Sequence, residues 1–154
     1  MEKTNAMRQL DRKKASYQVH SYTGGALSGT EVAAALGQPP EHIFKTLVTV
    51  GKSGSYYVFL VPVAESLNLK KAASSVGEKA LSMLPQKDLL PLTGYVHGGC
   101  SPIGMKKQFP TVAHFTAADF ETICFSAGKI GLQIECAPSV LAAIIPLKMA
   151  DIID

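Results

Sequence analysis

Residues 43–63 read IFKTLVTVGKSGSYYVFLVPV, and this stretch decides the fold class. After a short helical turn at its start, the β-branched residues up to Val50 predict a strand. Residues 51–54, Gly-Lys-Ser-Gly, predict a turn, and the almost continuously apolar run at 56–63 predicts a second strand. A strand that is apolar on both faces is typical of the centre of a sheet. The stretch therefore predicts a β-hairpin whose second strand is central.

Short helices and strands are predicted on both sides of this hairpin. Helices are expected at 4–14, 32–36, 68–76, 85–90 and 138–145, and strands at 17–22, 80–84, 112–115, 122–125 and 132–136. The helix at 32–36 is opened by the capping box Ser28-Gly29-Thr30-Glu31 and stopped by Gly37, and the helix at 85–90 is expected to end at Pro91. Helices and strands intermix without a regular βαβ alternation, so the predicted fold class is α+β with a mixed sheet.

The composition is that of one compact domain spanning residues 1–154. Hydrophobic residues make up 47% and charged residues 18%, which excludes a disordered chain. The longest apolar stretches, 56–63 and 140–147, are too short to span a bilayer, and the N-terminus has no apolar signal core. Three cysteines without a Cys-x-x-Cys unit predict free thiols in a reducing compartment. We therefore expect a cytoplasmic protein without a membrane partner.

Common catalytic motifs are absent from the sequence. There is no Gly-x-Ser-x-Gly elbow, no phosphate-binding P-loop and no Gly-x-Gly-x-x-Gly motif. The four histidines are scattered, and no pair of them has the spacing of a metal site; they are His20, His42, His97 and His114. The net charge of +3 permits contact with a nucleic acid without requiring it.

The segment at 92–104, LTGYVHGGCSPIG, is unusually rich in small residues. Its glycines allow the backbone to approach a ligand and to direct N–H groups at it, as in an oxyanion hole. A plain glycine-rich turn between two strands fits the same composition. Residues 126–128, Ser-Ala-Gly, are a second and weaker candidate of this kind. Cys100 would be a nucleophile with His97 as its base, although no third orienting group is evident.

Two further polar residues are candidates for a site. Lys45 is a cation in an otherwise apolar strand, where it would attract phosphate or polarise a carbonyl group. The alternative is an outward-facing strand residue. Tyr22 ends the first predicted strand and would donate a hydrogen bond, or belong to the core. The residues alone leave both alternatives open.

Several segments together resemble the YbaK family, the free-standing relatives of the editing domain inserted in bacterial prolyl-tRNA synthetases. They occur in family order and cover nearly the whole chain: KTNAMR at 3–8, IFKTLV at 43–48, LKKAA at 69–73, LTGY at 92–95, GGCSPIG at 98–104 and FSAGKIGL at 125–132. Each segment alone is weak evidence for the family. The presence of both Phe-Lys-Thr-Leu and Gly-Gly-x-Ser-Pro-Ile-Gly in one short chain is specific evidence for it.

The resemblance implies a compact α+β fold on a mixed, partly barrel-like sheet surrounded by short helices. It also implies deacylation of a misacylated tRNA at its acceptor end, with cysteinyl-tRNA(Pro) as the favoured substrate and without a metal or organic cofactor. In the mechanism of the cysteine-specific members, the substrate's own thiol attacks the ester. Prolyl-tRNA synthetase would be the delivering partner. The alternatives are clearance of alanine from tRNA(Pro), and a non-catalytic module of the same fold that binds aminoacyl-tRNA or a nucleotide.

The resemblance also implies roles for individual residues. It assigns catalysis to Lys45 and Tyr22. It assigns substrate binding to Thr46, Gly98, Gly99, Ser101, Ser126, Gly128 and Gln133. The family's Gly-Leu-Asp-Ile is Gly-Leu-Gln-Ile at 131–134 here, so Gln133 cannot supply the charge of the aspartate, and the amino-acid specificity stays open. Glu135 would face the same side of a strand as Gln133. The position of Cys100 is usually aliphatic in the family, which favours a small apolar substitute over a nucleophile.

Overall fold

A computed structural model describes residues 2–25 and 27–154 of the chain. These residues contain five α-helices: α1 Asn5–Arg12, α2 Gly29–Leu36, α3 Leu69–Val76, α4 Gln86–Thr93 and α5 Pro138–Ile144. They also contain eight strands: β1 Gln18–Ser21, β2 Phe44–Gly51, β3 Tyr56–Pro62, β4 Leu81–Met83, β5 Thr111–His114, β6 Ile123–Ser126, β7 Leu132–Cys136 and β8 Leu147–Ala150. Short 3₁₀ turns lie at Pro40–His42 and Phe115–Asp119.

The hairpin of β2 and β3 forms the centre of the larger sheet, as predicted. This sheet has the strand order β4-β2-β3-β5-β8. Strand β3 pairs antiparallel with β2 and parallel with β5, so the sheet is mixed. Residues 58–61 of β3 are completely buried, because both faces of this strand are covered. The prediction of an α+β fold with a mixed sheet is confirmed.

A second, antiparallel sheet has the order β1-β7-β6. A single parallel bridge between Ile43 and Cys124 connects the start of β2 to β6, and the two sheets do not close into a barrel. The main hydrophobic core joins the two sheets, with Phe44 and Leu60 from the larger one and Phe125 and Ile134 from the smaller one. This arrangement brings the first half of β2 next to the ends of β6 and β7.

The ends of helix α2 follow the local signals of the sequence. The Ser28 hydroxyl accepts the N–H of Glu31, and the Glu31 carboxylate accepts the N–H of Ser28, which completes the predicted capping box. Gly37 ends the helix in the left-handed conformation, with φ of 66°. The predicted capping box and the predicted end of this helix are confirmed, but the helix begins at Gly29 and not at Val32, because residues 29–31 of the capping box form its first turn.

The predicted end of one helix was wrong, and one strand was missed. Helix α4 does not end at Pro91 but continues to Thr93, and Gly94 ends it with φ of 85°. Pro91 has no N–H group to donate to the carbonyl of Lys87, four residues earlier in the helix. Lys87 is exposed, so water can bond to this carbonyl instead. Strand β8 was not predicted at all. Its four residues form a strand because they pair in parallel with β5, a contact that local sequence does not encode.

In residues 2–25 and 27–154, no helix combines the length and the apolar character needed to cross a membrane.

Candidate active site

A cavity of about 210 Å³ lies where β2 passes the ends of β6 and β7. The first turn of α2, the first half of β2 and the glycine-rich segment at 97–100 form most of its wall. It brings together the predicted site residues Tyr22, Lys45, Thr46, Gly98, Ser126 and Gln133. These residues are far apart in the sequence and become neighbours because the two sheets meet at the Ile43–Cys124 bridge.

The other three predicted residues, Gly99, Ser101 and Gly128, are not part of the cavity lining. A Cβ atom on Gly99 would lie 3.0 Å from the backbone nitrogen of Ile130, so this position has no room for a side chain. Ser101 is completely buried, and its hydroxyl accepts the N–H of Ile103 at 3.3 Å. Gly128 has φ of 99° and packs against the ring of Tyr95. These three residues shape the loops and do not line the cavity.

Lys45 is the cation of the cavity. It lies on β2 opposite Val61 and is half-buried. Burial lowers the pKa of the Lys45 ammonium group below its ordinary value, and the negative charge of Glu65 partly opposes this shift. No residue in the described part of the chain forms a hydrogen bond or an ion pair with this group. A poorly hydrated, unpaired cation is suited to bind an oxygen atom that carries or develops negative charge.

Two buried polar atoms in the cavity wall have no hydrogen-bond partner among the described residues. They are Oγ1 of Thr46 and Oε1 of Gln133. Gln133 is only 7% exposed, and Thr46 is half-buried. An unpaired buried polar atom costs about 1–3 kcal/mol, and native proteins seldom retain one without a reason. Both residues line the cavity, so a modest rotation of either side chain would bring its oxygen to a polar ligand there.

The glycine-rich segment contributes fewer free N–H groups than its composition suggests. The N–H of Gly99 donates to the Val96 carbonyl at 3.0 Å, so this group closes a turn. Gly98 lines the cavity, and its N–H has no backbone acceptor in the described ranges. Gly98 thus remains the candidate oxyanion donor of this segment.

Cys100 lines the same cavity, but its environment opposes a role as a nucleophile. The side chain is 6% exposed, and burial raises the pKa of the Cys100 thiol to about 12. A catalytic cysteine needs the opposite shift, because the thiolate is the reactive form. His97, its proposed base, also lines the cavity but lies on the exposed side. The geometry favours a small apolar wall residue at position 100.

Sequence reasoning missed the apolar part of the wall. It consists mainly of Leu27, Val32, Ile43, Phe44, Leu47, Val63 and Leu89, with Ser28 and Gly29 from the start of α2. A Cβ atom on Gly29 would lie 2.5 Å from the Cβ of Val63, so glycine allows α2 to approach this wall closely. The capping box showed where α2 begins, but no local signal showed that its first turn would reach Val63, directly after β3.

A second, more open cavity adjoins the first at Tyr22. It is also lined by the loop 129–132 and by Glu2. The backbone N–H of Tyr22 donates to the Gly131 carbonyl at 3.0 Å, which fixes the tyrosine between the two cavities. The exposed Lys129 supplies a positive charge here, opposed by the carboxylate of Glu2.

Comparison with known proteins agrees with the resemblance seen in the sequence. Residues 24–143 match the family model of the aminoacyl-tRNA editing domain. EbsC of Enterococcus faecalis, whose name proposes a deacylase of Cys-tRNA(Pro) and Cys-tRNA(Cys), is 44% identical over 153 residues, which cover 98% of this chain and 93% of that protein. Proline–tRNA ligase of Fervidobacterium nodosum is 33% identical over 85 residues, which are 55% of this chain but 15% of the ligase.

Comparison of the fold with solved structures supports the same family. A solved structure described as a proposed trans-editing enzyme for prolyl-tRNA synthetase superimposes with a TM-score of 0.87 at 25% identity and covers 100% of this chain and 99% of its own. The family model, the full-length relative and the fold thus agree with one another. The chain therefore belongs to the YbaK/EbsC family of aminoacyl-tRNA editing enzymes.

Proposed function

We propose that this protein is a trans-acting deacylase that releases cysteine from cysteinyl-tRNA(Pro) in the cytoplasm. The observation that carries the proposal is one cavity that combines a desolvated lysine with two unpaired buried polar atoms, Thr46 Oγ1 and Gln133 Oε1. Its volume of about 210 Å³ is below the range of about 300–1,000 Å³ that is usual for drug-sized ligands. This size suits an aminoacyl group and leaves the rest of the tRNA outside.

The chemistry needs no protein nucleophile. The substrate thiol attacks its own ester carbonyl, so a C–S bond forms and the C–O bond to the tRNA ribose breaks. The thiol proton passes to the ribose oxygen, and the cysteine leaves as a cyclic thioester. The protein holds the thiol near the carbonyl and stabilises the negative charge on the carbonyl oxygen. Lys45 and the N–H of Gly98 are the groups in the cavity that suit the second task.

Tyr22 and the second cavity support a place for the acceptor end. With the aminoacyl group in the first cavity, the terminal nucleotide would leave past Tyr22, which borders both cavities. Tyr22 would then orient the ester by a hydrogen bond from its hydroxyl. Lys129 offers the positive charge that a nearby phosphate needs.

A second candidate substrate is alanyl-tRNA(Pro), and the residue that favours it is Gln133. A neutral amide supplies no charge to activate or orient a thiol, so a cavity with Gln133 would also accept a side chain without a thiol. Packing alone discriminates weakly between amino acids of similar size, which is why editing reactions use a separate site.

The test is release of labelled amino acid from tRNA(Pro) that carries cysteine, alanine or serine. We expect rapid release of cysteine and much slower release of serine, whose hydroxyl is a weaker nucleophile than a thiol. Lys45→Ala should slow the release by about 100- to 1,000-fold, the usual effect of removing a group that stabilises an oxyanion. Lys52→Ala is the matched control, because Lys52 is an exposed lysine in the turn that follows β2, and should keep full activity.

Other outcomes have distinct meanings. Preferential release of alanine would assign the second substrate. No release of any amino acid by folded protein in the presence of prolyl-tRNA synthetase would contradict a deacylase and leave a non-catalytic binding module. Serine release as fast as cysteine release would overturn the thiol mechanism.

A further inference from the structure

Three side chains with metal-binding atoms converge on one face of the smaller sheet. They are His20 on β1, Cys124 on β6 and Glu135 on β7. Cys124 pairs directly with Glu135, and His20 pairs with Gln133, which is two residues before Glu135 on the same strand. Residues two apart on a strand face the same side of the sheet. A nitrogen of His20, the sulfur of Cys124 and an oxygen of Glu135 all lie within 4.8 Å of one another.

We propose that His20, Cys124 and Glu135 form a binding site for a divalent cation of the zinc class. Imidazole nitrogen, thiolate sulfur and carboxylate oxygen are the ligand types of zinc in proteins, and three protein ligands plus water are a common zinc coordination. A thiolate selects against magnesium and calcium, which prefer oxygen ligands. The three ligands come from three hydrogen-bonded strands, so the sheet holds them in fixed positions.

The charge of the cluster fits a divalent cation. A thiolate and a carboxylate with a neutral imidazole carry two negative charges, which one such ion neutralises. Cysteine binds zinc as a thiolate, so the binding step breaks the Cys124 S–H bond, forms a metal–sulfur bond and releases the proton to solvent.

The surrounding groups support the carboxylate. The Thr122 hydroxyl donates to Oε2 of Glu135, while His20 Nε2 lies 2.7 Å from Oε1. Hydrogen bonds of this kind orient metal-binding carboxylates.

The site is accessible from one side. The His20 side chain is 28% exposed and that of Glu135 16%, whereas Cys124 is completely buried. An ion could therefore enter past the imidazole and the carboxylate and keep a water molecule on the open side.

The proposed ion would support the cavity without joining the reaction. Ser126 follows Cys124 by two residues, Gln133 precedes Glu135 by two, and both line the cavity. An ion bound to β1, β6 and β7 would hold together the three strands that carry this wall. This site does not depend on the proposed deacylase activity.

The test uses cobalt(II) as a spectroscopic probe on chelator-treated protein under reducing conditions. We expect one equivalent of cobalt to bind, with a thiolate-to-cobalt charge-transfer band in the near ultraviolet. Zinc should displace the cobalt, release protons and raise the melting temperature. Cys124→Ser should abolish the band, and Thr122→Val should weaken binding about tenfold, as expected for a partner of a metal ligand. Cys136→Ala, which changes a buried cysteine outside the cluster, should keep the band.

His20→Gln provides a second test in case the Cys124→Ser variant fails to fold. His20 is partly exposed, and glutamine can still bond to Glu135, so this variant should fold but bind cobalt at least tenfold more weakly. Absence of a charge-transfer band in the folded wild type would overturn the proposal. So would a band that survives in Cys124→Ser, or a zinc-induced melting shift that is unchanged in His20→Gln. Deacylation of cysteinyl-tRNA by metal-free protein is measured separately, so the two proposals can fail independently.

Discussion

Burial of the Lys45 charge in the cavity wall is expected to lower the stability of the fold. Burial lowers its pKa from the ordinary value of 10.5, so the unfolded chain binds the lysine proton more readily than the folded protein. Between the folded and unfolded pKa values the unfolded state binds more protons, and stability therefore rises with pH through this window. At neutral pH the full cost of burying the charge remains.

We therefore expect Lys45→Met to slow deacylation as much as Lys45→Ala and yet raise the melting temperature at pH 7. The gain should shrink at pH 10, because that pH approaches the ordinary lysine pKa of 10.5 and the pKa of the buried Lys45 lies below it. Thermal melts at both pH values measure this, with Lys52→Met as the control because Lys52 is exposed. A Lys45→Met protein that melts below the wild type at pH 7 would show that the ammonium group stabilises the fold.

At the scale of the element, the loop between β6 and β7 depends on Gly128. Its φ of 99° disfavours any side chain, and a Cβ atom would lie 2.7 Å from Cε1 of Tyr95. The Tyr95 hydroxyl is itself held by the Ile103 carbonyl at 2.6 Å, so the ring cannot move away freely. The loop after β6 and the glycine-rich segment thus fix each other.

Gly128→Ala should destabilise the protein by about 2–4 kcal/mol, from backbone strain and overpacking together. Gly54→Ala is the matched control. Its φ of 90° gives similar strain, but a Cβ atom there meets nothing within 4 Å, so about 1 kcal/mol is expected. Urea unfolding of both variants measures the difference. Equal losses would show that Tyr95 yields to the new methyl group.

At the scale of the whole molecule, the low net charge limits the affinity for tRNA. A charge of +3 over 154 residues offers few cations for phosphates, which supply most of the affinity for a nucleic acid. We expect prolyl-tRNA synthetase to raise kcat/KM for cysteinyl-tRNA(Pro) at physiological salt and to leave kcat at saturating tRNA nearly unchanged. Steady-state deacylation with and without the synthetase measures this. Tight binding of tRNA by the isolated protein at that salt would contradict the delivery role.

The sequence by itself determined the features that depend on neighbouring residues. The central hairpin, the capping box at 28–31 and the glycine that ends α2 follow from backbone preferences within a few positions. The family followed from motifs that are short and continuous, and the similarity over nearly the whole chain confirms it.

Only the tertiary structure decided which distant residues meet. Pairing with β5 creates β8, and the bridge between Ile43 and Cys124 brings Lys45 and Gln133 to one cavity. The pairing of β7 with β1 and β6 gathers His20, Cys124 and Glu135, which no spacing in the sequence connects. The physical reason is that strand pairing and burial act between segments far apart in the chain, whereas sequence patterns report only on preferences along it.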